Sequence, residues 1–480
     1  MSATATTTAA SIRTPLQVLA TFSAGLTYDA LPRPVVESFT HRVLDTLGIC
    51  IAATALDTSG MATRVAAAWG GHGEATVIGY ADKLPAAAAG FVNGVLAHSL
   101  DYDDTHLPSV LHPSASIVPA ALAVGEATGA STRDVIAAAA AGYEICIRTG
   151  MAGYDRTLGN SVFFERGWHA TSICGTLACA VVAAKLYGLG AEGIGHAIGI
   201  AASMGSGIIE GNRAGGSVKR MHCGWAAHAG IIAAQMAAAG FTGPASALEG
   251  RFGFYQAFCG GAFDPRELTD GLGEQWCLPG IFYKPYPANH FTHAGIDAAI
   301  RLRPTVAVAD IASIELGVPT PTVRTIGEPA ASKARPQSGY HAQFSGPFTV
   351  AAAFLGGSGL GLSLDDFADA KVHDPRYLDL AAKVRVVGNA ECDAIFPNQF
   401  PAVLRVTTRD GGVHEARVMA NRGGPENPLS VDELTVKFTS NASRAMAPDD
   451  ARQMADAIVH MADRPLRGVL LTAAKAAARP

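Results

Sequence analysis

From Thr14 to about Phe258 the apolar residues recur at helical spacing, and no alternating strand pattern interrupts them. A chain that is helical over so long a run must bury helix against helix, so a helical core is required before any motif is considered. Pro34 marks a helix start, and Val35, Phe39, Val43, Leu44, Leu47 and Ile51 form one apolar stripe. Further helices are predicted over residues 84–100, 114–126, 132–149, 171–186, 191–203 and 222–239. The character changes near Gly280. Residues 311–316, 381–387 and 402–408 read as strands, Asp410-Gly411-Gly412 as a hairpin turn and 413–418 as its return strand, with a helical pattern over 340–355 between them. From Ser430 helices return, over 430–438, 448–460 and 465–478. The expected fold class is mainly α: a large all-helical domain, residues 13–279 and 431–480, with an inserted smaller α+β lid domain, 280–430, and a disordered tail, 1–12.

Composition narrows the function. Of the 480 residues 49% are hydrophobic and only 16% charged, which favours large buried surfaces over disorder. The net charge of −5, with no basic block, argues against nucleic-acid binding. The start lacks the charged and apolar segments of a signal peptide. The most apolar stretches, 135–147 and 172–184, are too short for a membrane span and read as buried helices. The eight cysteines include no Cys-x-x-Cys pair, so they read as buried thiols in a reducing, cytoplasmic setting.

Three polar clusters each precede an Ala-rich helix. The first runs from His98 and Asp101 through Asp103, Asp104, Thr105 and His106 to His112. The second is Gly167-Trp168-His169, and the third Gly215-Gly216-Ser217-Val218-Lys219-Arg220-Met221-His222. Helix starts carry unpaired N–H groups and partial positive charge, so three of them with His, Lys and Arg nearby would make an anion pocket if they converged. Tyr283-Lys284-Pro285-Tyr286-Pro287 opens the smaller domain, and a pocket between domains is a common substrate site. Each residue alone also has an ordinary reading: His169 as a core histidine, Lys219 and Arg220 as solvated surface, Lys284 snorkelling along a boundary. His290-x-x-His293 lacks further ligands at finger spacing and reads as a coincidence of helix faces rather than a metal site. Asp103-Asp104 lacks the additional acid and second motif of a Mg²⁺-dependent terpenoid synthase. The spacing of Gly205, Gly207 and Gly211 misses that of a nucleotide loop.

The chain resembles the MmgE/PrpD family over about residues 30–470. The resemblance rests on Val92-Asn93-Gly94 leading into His98-Ser-Leu-Asp101-Tyr-Asp103-Asp104-Thr105, then His112-Pro-Ser, Gly167-Trp-His169, Lys219-Arg-Met-His222 and Lys284-Pro-Tyr-Pro287, in that order. It implies a helical main domain with a smaller lid, a homodimer, no cofactor, and a site lined by Asp101, Thr105, His112, His169, Lys219 and Lys284. Three departures qualify it. The stretch from Asp101 to His112 is one residue longer than in animal-type decarboxylases, and Val318–Arg324 offers no counterpart to a tyrosine of the decarboxylase pocket. Arg220 stands where the family commonly has proline.

Residues and resemblance together lead to a cofactor-independent lyase of a small di- or tricarboxylate, working by proton transfer at the carbon next to a carboxylate. A 2-methylcitrate dehydratase-like hydro-lyase is the leading reading. An epimerase, a cis-aconitate-type decarboxylase and a non-catalytic carboxylate-binding protein are the alternatives. His112 is the first choice of proton carrier and His169 the second, with Asp101 orienting a histidine. Lys219, Lys284 and Arg220 are expected to hold carboxylates, with Thr105, His222 and Asp104 as further substrate contacts and no metal. No nucleic-acid or membrane partner is expected.

Overall fold

The small side chains of the Ala-rich segments leave helices no bulky ridge to keep them apart, and the chain stacks them closely. The computed structural model describes residues 13–211 and 216–474; the tail expected at 1–12 and Gly215 lie outside the described residues. The main helices are α1 (Pro15–Gly25), α2 (Arg33–Ala53), α3 (Asp57–Ala68), α4 (Ala86–Ala97), α5 (Ser114–Thr128), α6 (Thr132–Ala152), α7 (Ala170–Leu186), α8 (Ala191–Ala201), α9 (Val218–Ala238), α10 (His293–Leu302), α11 (Gly346–Leu355), α12 (Val431–Ala442), α13 (Pro448–Val459) and α14 (Leu466–Ala474). Local chemistry sets many of their starts. Thr14 and Gln17 form a capping box for α1, Ser430 and Glu433 one for α12, and the Ser131 hydroxyl accepts from Asp134 N at the start of α6.

Helix α9 lies along α7 and α4, and also meets α5 and α8. One hydrophobic core draws on residues from Leu16 to Tyr283 and again from Leu429 to Leu470. A second runs from Tyr286 to Val418. Between them sits a small cluster of Leu107, Phe282 and Phe400, with Phe291 and Phe396 against it. Helix α6 is long and apolar enough to cross a membrane, but nearly all of it is buried inside the protein, where Glu144 and Arg148 pair at 3.1 Å.

The second core is built on a four-stranded sheet of β1 (Ile311–Val318), β2 (Val384–Gly388), β3 (Ala402–Thr408) and β4 (Val413–Val418), in the order β2-β1-β3-β4. β1 and β2 are parallel, with Ile314 opposite Val384, and the crossover a parallel pair requires contains α11. β3 pairs antiparallel with β1 and with β4.

Three local expectations change. The helix predicted over 340–355 is broken into Gly339–Ala342 and α11, because the Ser345 hydroxyl accepts from Phe348 N as a new cap and a proline occupies the next turn's start. A two-residue hairpin pairs Tyr154 with Ser161 and Asp155 with Asn160 inside the stretch read as wholly helical. The helix expected from His222 begins four residues earlier, at Val218.

Candidate active site

The polar clusters converge because the helices behind them cross closely. Gly94 in α4 and Gly224 in α9 let the two backbones touch, which sets His98, just past the end of α4, beside the first turns of α9. α5 opens directly after His112-Pro113, and His169 is the residue that precedes α7. Since α5, α7 and α9 are mutual neighbours, their three starts meet in one place. The connecting loop is tight: Asp101 and Val110 hold φ of 52° and 53°, a region that costs a non-glycine residue on the order of 1–3 kcal/mol.

Asp101 is the centre of charge. Lys219 Nζ donates to its Oδ1 at 3.0 Å, and Lys284 Nζ lies 3.3 Å from its Oδ2 while donating to its backbone oxygen at 2.8 Å. Burial pushes the Asp101 carboxyl up, but Lys219 and Lys284, with His112 beyond them, hold it well below the ordinary carboxylate range. Burial likewise works against the Lys219 ammonium, and Asp101, Tyr340 and Asp103 together more than offset it, so Lys219 stays charged. Lys284 is 2% exposed. Two lysines, one at the second residue of α9 and one where the chain passes from the first core to the second, therefore share one carboxylate.

Four imidazoles form a row beside this cluster. The His98 ring stands 5.4 Å from that of His112 and 5.6 Å from that of His169, which stands 4.9 Å from His222. His98 Nδ1 donates to Asp103 Oδ2 at 2.6 Å. Burial raises the Asp103 carboxyl, but His98 and His112 bring it below the ordinary range, so it is an ionised acceptor. His112 Nδ1 lies 2.7 Å from the Asp104 carbonyl oxygen and 3.3 Å from Thr105 Oγ1. A carbonyl can only accept, so the His112 proton sits on Nδ1 and its Nε2 carries a lone pair. Burial pushes His112 down to about 4, leaving it neutral near pH 7. His169 and His222 face each other Nδ1 to Nδ1 at 2.9 Å. Burial lowers both, His222 to about 4, so two neutral rings share one bridging proton; the ring that lacks it presents an Nε2–H.

The structure thus brings Asp101, Thr105, His112, His169, Lys219, His222 and Lys284 together. It turns two other candidates away. Asp104 accepts from Arg42 Nη1 at 3.2 Å and from Ser114 N at 3.2 Å, and its other bond is to the Ser114 hydroxyl. Its carboxylate is spent fixing the start of α5 rather than facing Asp101. Burial raises its pKa to about 6 against the pull of Arg42. Arg220 is one residue beyond Lys219, and since α9 starts at Val218 it is rotated about 100° around the helix. Its Nη1 donates to Thr58 Oγ1 at 3.3 Å, and its guanidinium lies 5.8 Å from the Tyr340 ring of the smaller domain.

The segment 282–285, which joins the first core to the second, is tied to this site at several points. Thr105 and Phe282 exchange backbone hydrogen bonds at 2.8 Å each, and the Tyr102 hydroxyl donates to Pro285 O at 3.1 Å. Arg42 also stacks over Tyr283 at 3.6 Å. Sequence reasoning did not single out His98 and Asp103 as partners, nor Tyr340; the His98-to-Asp103 spacing beside His112 was the available signal for the first two, and Tyr340 had none. Among the described residues no group of three or more His, Cys, Asp or Glu is placed to hold a metal ion. His290 lies in a short 3-10 turn and His293 opens α10, with their rings 4.7 Å apart.

The MmgE/PrpD N-terminal domain matches residues 17–266 and the MmgE/PrpD C-terminal domain residues 286–463. A human cis-aconitate decarboxylase is 28% identical over 474 residues, covering 96% of this chain and 94% of the relative. A mouse cis-aconitate decarboxylase is 27% identical, covering 92% and 89%. A cis-aconitate decarboxylase of Aspergillus terreus is 25% identical, covering 92% and 91%.

Proposed function

The chain belongs to the MmgE/PrpD family, and we propose that within it the protein is a cofactor-independent hydro-lyase of a small di- or tricarboxylate, of the 2-methylcitrate dehydratase kind. The observation that carries this reading is His112. Its Nδ1–H is committed to the Asp104 carbonyl, and its neutral Nε2 is therefore a base beside a cluster holding two ammonium groups. Dehydration needs that combination. A base removes the proton next to a carboxylate, and fixed positive charge stabilises the enolate-like electron density that develops. In this reading Lys219 and Lys284 bind the substrate carboxylate, with Asp101 holding the two ammonium groups at the right spacing. The Nε2–H of the His169–His222 pair delivers a proton to the departing hydroxyl so that water leaves, and the pair recovers a proton through solvent as His112 gives up the one it abstracted. In this reading Arg220, tied to Thr58 and 5.8 Å from the Tyr340 ring, does not hold the substrate. Asp104 acts only through Ser114 and His112.

A decarboxylase is the second reading, favoured by the names of the relatives, which cover nine-tenths or more of this chain. There the same lysines would take up charge as CO₂ leaves, and a proton donor rather than a base would finish the reaction. A homodimer in a reducing compartment belongs to the proposal as well; the free, mostly buried cysteines support the compartment.

The test is an NMR screen in D₂O with 2-methylcitrate, citrate, cis-aconitate and amino-dicarboxylates. Loss of water from 2-methylcitrate or citrate, or hydration of cis-aconitate with deuterium entering next to the carboxylate, supports the hydro-lyase. Release of CO₂ from cis-aconitate without hydration chemistry would replace it by the decarboxylase, exchange with inversion by an epimerase, and binding without turnover by the non-catalytic reading.

A further inference from the structure

His290 is buried at 5% exposure, and neither ring nitrogen has a hydrogen-bond partner. Its position is fixed all the same. Asn289 Oδ1 accepts from Phe291 N at 3.1 Å and holds the turn. The rings of Phe282 and Phe400 meet the imidazole edge-on at 6.1 and 5.6 Å, and His293 lies against it at 4.7 Å. His293 is held through one nitrogen, its Nε2 donating to Ala288 O at 3.0 Å while its Nδ1 has no partner. His290 is held through neither, and a buried imidazole with both its donor and its acceptor idle costs on the order of 1–3 kcal/mol per group. Native proteins keep such groups where something else satisfies them.

The location says what that is. Phe282, whose ring flanks His290, is the residue whose backbone pairs with Thr105, and Thr105 is bonded to His112. His290 therefore abuts the proposed site from the smaller domain. The groups that act on it electrostatically are those of the site and its neighbour: burial lowers its pKa, and His293, Lys284 and His112 lower it further against Asp101. The ring is neutral and offers one N–H and one lone pair inside an aromatic wall.

We propose that His290 is a substrate-contacting residue of the smaller domain, hydrogen-bonding an oxygen of the bound carboxylate while Phe282 and Phe400 receive the adjoining hydrocarbon part. It rests on the carboxylate-lyase reading, and it adds to that reading a specificity element: the substrate carries a polar oxygen and an apolar arm on the side away from Lys219. A neutral imidazole is suited to this, because it reads an oxygen without adding a third positive charge beside the two lysines.

The experiment compares wild type with His290→Ala, His290→Phe and His290→Gln against 2-methylcitrate, citrate and cis-aconitate, following kcat and KM for the substrates that turn over and calorimetric binding for those that do not. The expected result is a rise in KM or Kd of tenfold or more for Ala and Phe, a change in kcat of less than threefold, and partial recovery by Gln, which keeps a donor and an acceptor. In ¹⁵N-histidine wild type the His290 ring nitrogens should shift when the preferred carboxylate is added; this readout needs no variant to fold. Unmoved ring signals at saturation, or Ala and Phe variants within twofold of wild type in KM and in order of preference, would overturn the assignment while leaving the lyase reading intact. If wild type neither binds nor turns over any of the three, the lyase reading falls and the role of His290 falls with it.

Discussion

Gly94 and Gly224 meet backbone to backbone: a Cβ at 94 would stand 2.7 Å from Gly224 Cα, and one at 224 would stand 2.3 Å from the Phe91 carbonyl oxygen. On an exposed helix, alanine in place of glycine stabilises by up to about 1 kcal/mol. Here the sign reverses, because both obstacles are backbone and cannot rotate away. Gly224→Ala is expected to destabilise by about 1–3 kcal/mol, read as a lower urea midpoint at unchanged slope. Turnover should fall too, since parting α4 from α9 separates His98 from His222 and Lys219. An unchanged midpoint would mean that the crossing is looser than described.

His112→Ala should reduce kcat by roughly 10²–10⁴-fold with the fold retained. The pH profile sharpens the test. A base with a pKa pushed down to about 4 by burial is active when unprotonated, so kcat/KM should be flat near neutrality and fall only as pH drops toward 4. An acid limb near 6.5, or activity within threefold of wild type in the variant, would remove His112 as the base.

Asp101→Asn removes the charge shared by Lys219 and Lys284, leaving one part-buried and one buried ammonium group 3.0 and 3.3 Å from a neutral amide. Breaking a buried pair in this way typically costs about 3–5 kcal/mol, and thermal unfolding should register it. Lys219→Ala and Lys284→Ala should each lower kcat/KM by about 10- to 200-fold, and the double variant should fall short of the product of the two. Strictly multiplicative losses would show that the lysines do not grip one ligand.

Acid should weaken the fold from about pH 6.5 downward, with Asp104, raised to about 6 by burial, working the other way for one group. His106, His112 and His222 are held down to about 4 by burial, and His293 to about 3, against about 6.5 in an unfolded chain. Between those values the unfolded chain binds more protons than the folded one. Stability is therefore full above about pH 6.5 and declines as pH falls toward 4, by about 1.4 kcal/mol per pH unit for each such imidazole. Urea midpoints at pH 7, 6, 5 and 4 should fall steadily, and a flat profile over that range would contradict the buried neutral histidines.

Activity is expected to survive EDTA. The carboxylates of the site are engaged by lysines, an arginine, a serine and a histidine, and among the described residues no three His, Cys, Asp or Glu are placed to share a cation. Loss in EDTA with recovery on one divalent ion would require a different site.

Much of this was legible in the chain. Strand positions 402–408 and 413–418 coincide with β3 and β4, because alternation and the Asp410-Gly411-Gly412 turn leave little choice of register. The starts of α5 and α6 follow from proline and serine chemistry that acts within a few residues. The start of α9 was misplaced because glycine and polar residues before His222 read as loop, whereas packing on α4 and α7 extends the helix through Lys219. That shift alone decides that Lys219 and His222 share a face and Arg220 does not.

What the sequence determined by itself is the helical class, the α+β segment and the residue types of the site, since periodicity, caps and turn chemistry are local. Only the tertiary structure decided which groups meet. Asp101 between two lysines 65 residues apart (219 and 284), Asp104 turned to Arg42, and His290 with both nitrogens idle are products of helices crossing at glycines and of two cores meeting at Phe282. Side-chain direction at a site depends on where distant backbones pack, and no spacing along the chain encodes that.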